Sequence, residues 1–197
     1  MPADSVPPEQ KEEVAQAVRT ALAKHGYARL TTKKVAAESE KSEAGLYYYY
    51  DSKDEMIVAF LESSVDYLAR SLDQIDADGP EARLRAVCDI LLVDEADEAA
   101  RGVNVAVMEL LSHAPHNETL RGPLLQMEQH TLDVIADIVR DGVEQGVFRD
   151  VDPDGTAAFI LSATDGYTGF ALALGMDGVG DKLRGALSTY LDSLVVD

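Results

Sequence analysis

The residues best equipped for chemistry lie close together. In KSEAGLYYYYDSKDEM, residues 41–56, a serine, an acid and two small residues precede four consecutive tyrosines, and a lysine follows. Neighbouring helical positions point about 100° apart, so four tyrosines in a row cannot share one packing face. Those turned outward carry a hydroxyl on a flat apolar body, which is the chemistry of contact: a hydrogen bond to an acceptor such as a phosphate oxygen. Glu109, His113, His116 and His130 are metal-ligand types, but their spacing crosses Pro115 and a turn, so no metal site is expected. Cys88 is the single cysteine and is expected as a small core residue. With no Gly-rich phosphate loop and no nucleophile elbow, neither catalytic residues nor a cofactor is expected, and an enzyme reading has no support.

The chain has 197 residues, 46% of them hydrophobic, enough to bury a core in one domain or in a small domain joined to a larger one. No apolar run reaches the roughly 18 residues needed to cross a bilayer, and MPADSVPPEQKEE at the start lacks a signal pattern. A cytoplasmic protein with no membrane partner is therefore expected. The formal net charge of −19 argues against nucleic acid until its distribution is considered. Residues 61–197 carry 9 Lys and Arg against 26 Asp and Glu, whereas residues 19–53 carry 7 against 4. The basic window contains the tyrosines. The acidic remainder suits solubility, including in concentrated salt.

The elements that must position these residues are helices, because nearly every segment repeats at 3.6 residues and none sustains strand alternation. An all-α fold is expected. The first helix spans Pro8 to His25, with Val14, Ala17, Val18, Ala21 and Leu22 on one face and Gly26 just past its end. A short helix from Thr32 to about Ser39, capped by Thr31 or Thr32, comes next, and Ser42 caps a third that runs through Tyr50. The SKDE of residues 52–55 is a capping box opening a long helix to about Ile75. Two short helices meeting at a tight turn, braced on either side, make a helix-turn-helix.

Leu46 and Tyr50 are four residues apart and share the inward face with Val35, which leaves Tyr47, Tyr48 and Tyr49 on the exposed side. The second short helix of such a module enters the major groove, with early residues at base edges and later ones at phosphates. Ser42, Glu43, Ala44 and Gly45 hold the early positions. Ala44 and Gly45 are small enough for close approach, and the tyrosine hydroxyls suit phosphate oxygens. An aromatic surface helix without a DNA role would show the same spacing.

These residues resemble the N-terminal DNA-binding domain of TetR-family transcriptional regulators. The likeness runs from AVRTALAKHGYARL through LTTKKVAAESEKSEAGLYYYYDSKDEMIVAFL and covers roughly residues 10–61. It implies that Thr32 and Lys33 contact phosphate or a nearby base at the start of the second helix. It also implies that Ser42, Glu43, Ala44 and Gly45 read bases, that Tyr47, Tyr48 and Tyr49 touch the backbone, and that Lys53 anchors a phosphate. Three residues depart from the family pattern. Glu40 replaces a usual turn glycine, Lys41 a usual buried valine, and Glu43 puts an acid in the groove-facing helix, where it either accepts from a cytosine amine or repels phosphate. A ligand-binding or dimerisation protein with a degenerate DNA-reading module is the alternative.

Residues 1–55 are thus expected as the helix-turn-helix domain and 56–197 as a helical ligand-sensing and dimerisation domain. Met108, Leu111, Met127, His130 and Tyr167, set among aliphatics, suit the lining of a small-molecule site, although each would equally serve as core. Phe159, Ser162, Ala163, Gly166, Gly169 and Phe170 fall near one stripe of a helix expected from Pro153 to Leu174. With a helix from Gly180 to Val195 and a partner's pair, that stripe would form a four-helix interface; covering the chain's own core is its other possible use. The expected function is a homodimeric, TetR-like repressor of a palindromic operator in double-stranded DNA, released by a small and largely apolar effector.

Overall fold

The structure, a computed structural model, describes residues 6–73, 77–94 and 96–196, with only the backbone for 66–69, 72 and 73. The fold is all-α. In order come α1 (Pro8–His25), α2 (Thr32–Ala36), α3 (Glu43–Tyr47), α4 (Lys53–Asp73), α5 (Gly79–Leu91), α6 (Glu98–His113) and a 3-10 turn (Ala114–His116). Then follow α7 (Glu118–Glu144), α8 (Pro153–Tyr167), a π-helical turn (Thr168–Ala173) and α9 (Val179–Leu194). The expected end of α4 near Ile75 lies outside the described residues. The chain forms two compact units, one of Met1–Val65 with Asp94–Met127, the other of Asp66–Val93 with Glu128–Asp197.

In the first unit α1 buries Val14, Ala15, Ala17, Val18, Ala21 and Leu22 along one face. It stops at Gly26, whose φ of 68° an L side chain rarely adopts and whose N–H returns to the Leu22 carbonyl at 2.8 Å. Val35, Leu46, Tyr50, Met56, Ile57, Leu61, Ala106, Leu110, Leu120 and Leu124 share the same core. α6 lies against α1 almost backbone to backbone, because Gly102 has no side chain: a Cβ there would overlap the Ala23 carbonyl.

The caps at Ser42 and Ser52 sit where the sequence puts them, and of the two candidates for α2 it is Thr31 that caps. Thr31 accepts from the Lys34 N–H at 3.3 Å, Ser42 from Gly45 at 3.2 Å, and Ser52 from Glu55 at 3.2 Å, while Glu55 reaches back to the Asp51 N–H at 2.8 Å. Both short helices end sooner than expected, at Ala36 and Tyr47 instead of Ser39 and Tyr50. After α2 the backbone tightens into three-residue turns, Glu38 to Val35 and Ser39 to Ala36. After α3 the Tyr49 and Tyr50 N–H groups share the Leu46 carbonyl at 3.0 Å, which keeps Tyr50 below Leu46 as the spacing requires.

The turn between α2 and α3 is fastened by polar contacts where the family pattern implies a buried valine. Lys41 Nζ lies 2.8 Å from Glu13 Oε2, and Ser39 Oγ donates to Glu13 Oε1 at 2.8 Å while accepting the Lys41 N–H at 3.0 Å. The Lys41 and Ser39 hydrogen bonds, in that order, hold the Glu13 carboxyl below the usual carboxylate range. Lys24 Nζ donates to Glu38 at 2.7 Å and ties the end of α2 to α1 again.

In the second unit Leu84, Val87, Cys88, Ile135, Ile138, Val139, Ile160, Tyr167, Leu187, Leu191 and Leu194 are buried. Burial pushes the Cys88 thiol up to about 12, so it stays a neutral core residue. Arg85 reaches Glu81 at 2.9 Å and Asp192 at 2.6 Å, joining α5 to α9. Asp152 caps α8 through the Asp154 N–H at 3.2 Å, with Pro153 at the first position. The expected single helix to Leu174 instead widens into the π-turn at Thr168. Thr164 Oγ1 bonds back to the Ile160 and Leu161 carbonyls and Thr168 Oγ1 to that of Thr164, the kind of contact that loosens a regular helical ladder.

Glu128 on α7 has its carboxyl pushed up to about 7, first by desolvation and then by the charge of Asp165, itself shifted upward. A carboxyl raised above its unfolded value binds more protons in the folded chain, so its ionisation destabilises the fold as pH rises from about 4.5 towards 7. Glu128→Gln should therefore match the wild type in urea unfolding near pH 4 and exceed its midpoint at pH 8. Equal differences at the two pH values would show that Glu128 ionises normally.

Candidate nucleic-acid interface

The surface singled out by the tyrosines is built from α2, α3 and the start of α4. α3 is anchored on its inner side by Leu46, fully buried, with Val35 of α2 beneath it. That anchoring leaves Ser42, Glu43 and Ala44 exposed, Gly45 half-exposed, and Tyr47 and Tyr48 with 49% and 68% of their surface free. Tyr49 is half-buried against the core, its ring edge-on to Tyr48 at 4.9 Å. Tyr50 is buried; its hydroxyl has no hydrogen-bond partner among the described residues, and burial, followed by the charge of Glu62, pushes it up to about 12.

The polar side chains on this face fall into two groups. Lys33 and Glu43 point outward without an ion pair among the described residues. Thr32, in contrast, is buried, and its hydroxyl shares a 3.0 Å hydrogen bond with the Tyr47 hydroxyl. This bond fixes the Tyr47 ring across the start of α2 and leaves Thr31 as the exposed hydroxyl there. Lys34, which the sequence did not single out, is held to the Arg29 carbonyl at 2.7 Å. Lys53 is half-buried, its ammonium 4.4 Å from the centre of the Tyr27 ring. The structure thus brings the ten expected DNA residues onto neighbouring elements of one unit, with the Thr32 hydroxyl bonded to that of Tyr47.

The residues expected to meet an effector are divided. Met108, Leu111 and Met127 belong to the first unit, where Leu111 and Met127 pack against its core. His130 and Tyr167 belong to the second. His130 Nε2 is buried without a hydrogen-bond partner among the described residues. Tyr167 is buried, and its hydroxyl donates to the Val93 carbonyl at 2.6 Å. Glu109 and His113, the acid and first histidine weighed as metal ligands, are engaged with Tyr27: the carboxylate takes its N–H at 2.6 Å, and the imidazole lies 4.9 Å from its ring.

On α8 and the π-turn, two faces separate cleanly. Thr156, Ala157, Ile160, Thr164, Tyr167, Ala171 and Leu172 turn inward. Phe159 and Phe170 are about half exposed, at 51% and 54%, with Ser162, Ala163, Gly166 and Gly169 between them exposed or half-exposed. Phe159 rests on the Tyr190 ring of α9 at 4.7 Å, and Leu174 and Met176 extend the apolar surface.

Residues 14–60 match the family described as bacterial regulatory proteins, tetR family, and residues 80–196 match the C-terminal domain of BetI-type transcriptional repressors. The HTH-type transcriptional regulator YfiR of Bacillus subtilis is 30% identical over 170 residues, 83% of this chain and 80% of its own. An HTH-type transcriptional repressor of Streptomyces coelicolor is 25% identical over 94% of this chain and 97% of its own. The crystal structure of a TetR transcription regulator from Haloarcula marismortui superposes with a TM-score of 0.80 at 33% identity, covering 95% of this chain and 99% of that one. No helix among the described residues is long and apolar enough to cross a membrane. With its helix-turn-helix, its helical C-terminal part and these matches along nearly its whole length, the chain belongs to the TetR family of DNA-binding transcriptional regulators.

Proposed function

We propose that the chain is a repressor that binds a palindromic operator as a homodimer and leaves it when a small, largely apolar molecule binds. The observation that carries the DNA part is the presentation of α3. One buried leucine locks its rotation, so Glu43, Ala44 and Tyr48 stand together on the open face. Ser42, Glu43, Ala44 and Gly45 are assigned to base edges, and Lys33, Tyr47, Tyr48, Tyr49 and Lys53 to the sugar-phosphate backbone. Thr32 contributes by orienting Tyr47. The ion pair of Lys41 with Glu13 supports an intact reading module, because the departure from the family pattern is matched by its own partner.

The triple change Lys33→Ala, Tyr47→Phe, Lys53→Ala should weaken binding to the promoter DNA of the chain's own gene. It should also reduce the slope of log affinity against log salt by about one unit for each lysine lost. Wild-type affinity in this variant would show that another surface is used. Changes at Glu43 should instead alter which sequences bind.

Assembly is assigned to the outward stripe of Phe159, Ser162, Ala163, Gly166, Gly169 and Phe170. A half-exposed phenylalanine at each end with small residues between favours close packing against a second copy of the same face. Light scattering at micromolar concentration should give a dimer, and Phe159→Asp with Phe170→Asp should give a monomer with the same helix content. A wild-type monomer would remove this part of the proposal.

His130 supports the effector part, since a buried imidazole nitrogen without a partner is a polar group available to a ligand. Tyr167, in the same unit as His130, is proposed to supply apolar contact. A ligand that discriminates between two states shifts DNA affinity by that difference, typically about 1–3 kcal/mol. A screen of apolar and cationic compounds by thermal shift and operator release should yield an effector whose action His130→Ala weakens. An effector whose potency is indifferent to His130 would place its site elsewhere.

A further inference from the structure

Tyr27 follows the glycine that ends α1, and two helices of the first unit, α6 and α4, meet on it. Its backbone N–H donates to Glu109 Oε2 of α6 at 2.6 Å, and the next N–H, that of Ala28, reaches the same oxygen at 3.3 Å. Its ring, 8% exposed, lies against the His113 imidazole at 4.9 Å and 60°. Over the ring, 4.4 Å from its centre, stands the ammonium of Lys53, the first residue of α4. Beside it Asn117 donates to Asp54 at 2.8 Å, fastening that same end of α4.

We propose that Tyr27 is a positioning residue for DNA binding, its ring seating the Lys53 ammonium for a phosphate and Glu109 of α6 holding the ring in place. The proposal rests on the assignment of α2, α3 and the start of α4 to DNA. A lysine side chain is among those with most rotamer freedom to lose on binding, and a seat occupied beforehand removes part of that loss. The aromatic face attracts the cation without neutralising it, unlike a carboxylate, and an ammonium has three N–H donors, so donors remain for phosphate. Lys53 makes no ion pair among the described residues, which leaves its full charge to the DNA. Glu109 acts one step back: its carboxylate takes both N–H groups of the loop, and α6 is fixed to α1 where Gly102 meets Ala23. Displacing α6 would unseat the ring and with it the lysine.

The test uses the full chain and promoter DNA of its own gene, with Tyr27→Phe, Tyr27→Leu, Glu109→Ala, Lys53→Ala and the pairs of each with Lys53→Ala. Tyr27→Phe keeps the ring and should bind within about twofold of wild type. Tyr27→Leu and Glu109→Ala should each bind about two- to fivefold more weakly, the range of an exposed cation–π contact. Neither should weaken binding further once Lys53 is alanine. The ε-methylene protons of Lys53 should show an upfield ring-current shift in wild type and Tyr27→Phe and lose it in Tyr27→Leu; this readout needs no DNA. Should Tyr27→Leu fail to fold, Glu109→Ala and the lysine shift carry the same decision. Additive losses in the Lys53→Ala background, or no ring-current shift in the wild type, overturn the proposal. If Lys53→Ala binds normally while Lys33→Ala weakens binding, the seat is wrong and the DNA surface stands. If neither lysine matters, the surface assignment falls and the proposal with it.

Discussion

Helices of five residues cannot outweigh the cost of helix nucleation in water, so the shape of the DNA-facing surface depends on the burial of Val35, Leu46 and Tyr50 in the core they share with α1 and the start of α4. Fully burying one such apolar side chain stabilises by roughly 1.5–3 kcal/mol, more than a cap or a surface ion pair contributes. The same burial fixes rotation. With Leu46 inward and Tyr50 four residues on, Ala44, Tyr47 and Tyr48 must turn outward, while Ser42 and Glu43 are exposed beside them as the cap and first residue of the helix. The four tyrosines therefore divide their work: one is core, one lies edge-on to its neighbour at the rim, and two are open.

Around that apolar anchor, two carboxylates hold the loops. Glu13 gathers Ser39 and Lys41 and so fastens the turn between α2 and α3; Glu109 gathers two backbone N–H groups and fastens the turn after α1. A half-exposed ion pair stabilises little, but it has direction, which an apolar contact lacks. Replacing a buried valine by Lys41 is then a change in how the turn is fastened, with the helices on either side still capped by Thr31 and Ser42. In a chain of net charge −19 these two acids hold loops, whereas most other acids among the described residues are exposed.

The second unit follows a different plan. α8 and the π-turn carry threonines inward, at Thr156, Thr164 and Thr168, and phenylalanines outward, at Phe159 and Phe170. Thr164 and Thr168 answer burial by bonding to the helix's own carbonyls, and the widened turn at Thr168 accompanies this. The outward phenylalanines leave apolar surface in water, at a cost that a partner copy would remove. Glu128 is a further local cost, a carboxyl in poor solvent next to a second acid.

The sequence by itself determined the all-α fold, the start and end of α1, the caps at Ser42, Ser52 and Asp152, and the inward pair Leu46 and Tyr50, and it narrowed the cap of α2 to Thr31 or Thr32. These follow from periodicity and from side chains within four residues of the backbone they satisfy, so neighbouring letters suffice. The early ends of α2 and α3 and the π-turn were less legible, because regular periodicity runs on where backbone bonding has already changed. What only the tertiary structure decided are the pairings of distant residues: Thr32 with Tyr47, Lys41 with Glu13, Glu109 with Tyr27 across 82 positions, Tyr167 with Val93 across 74. Each joins a polar group to a partner brought near by burial of other, apolar side chains. Periodicity tells which face is buried; it carries no record of which polar groups the packing will bring within 3 Å of one another.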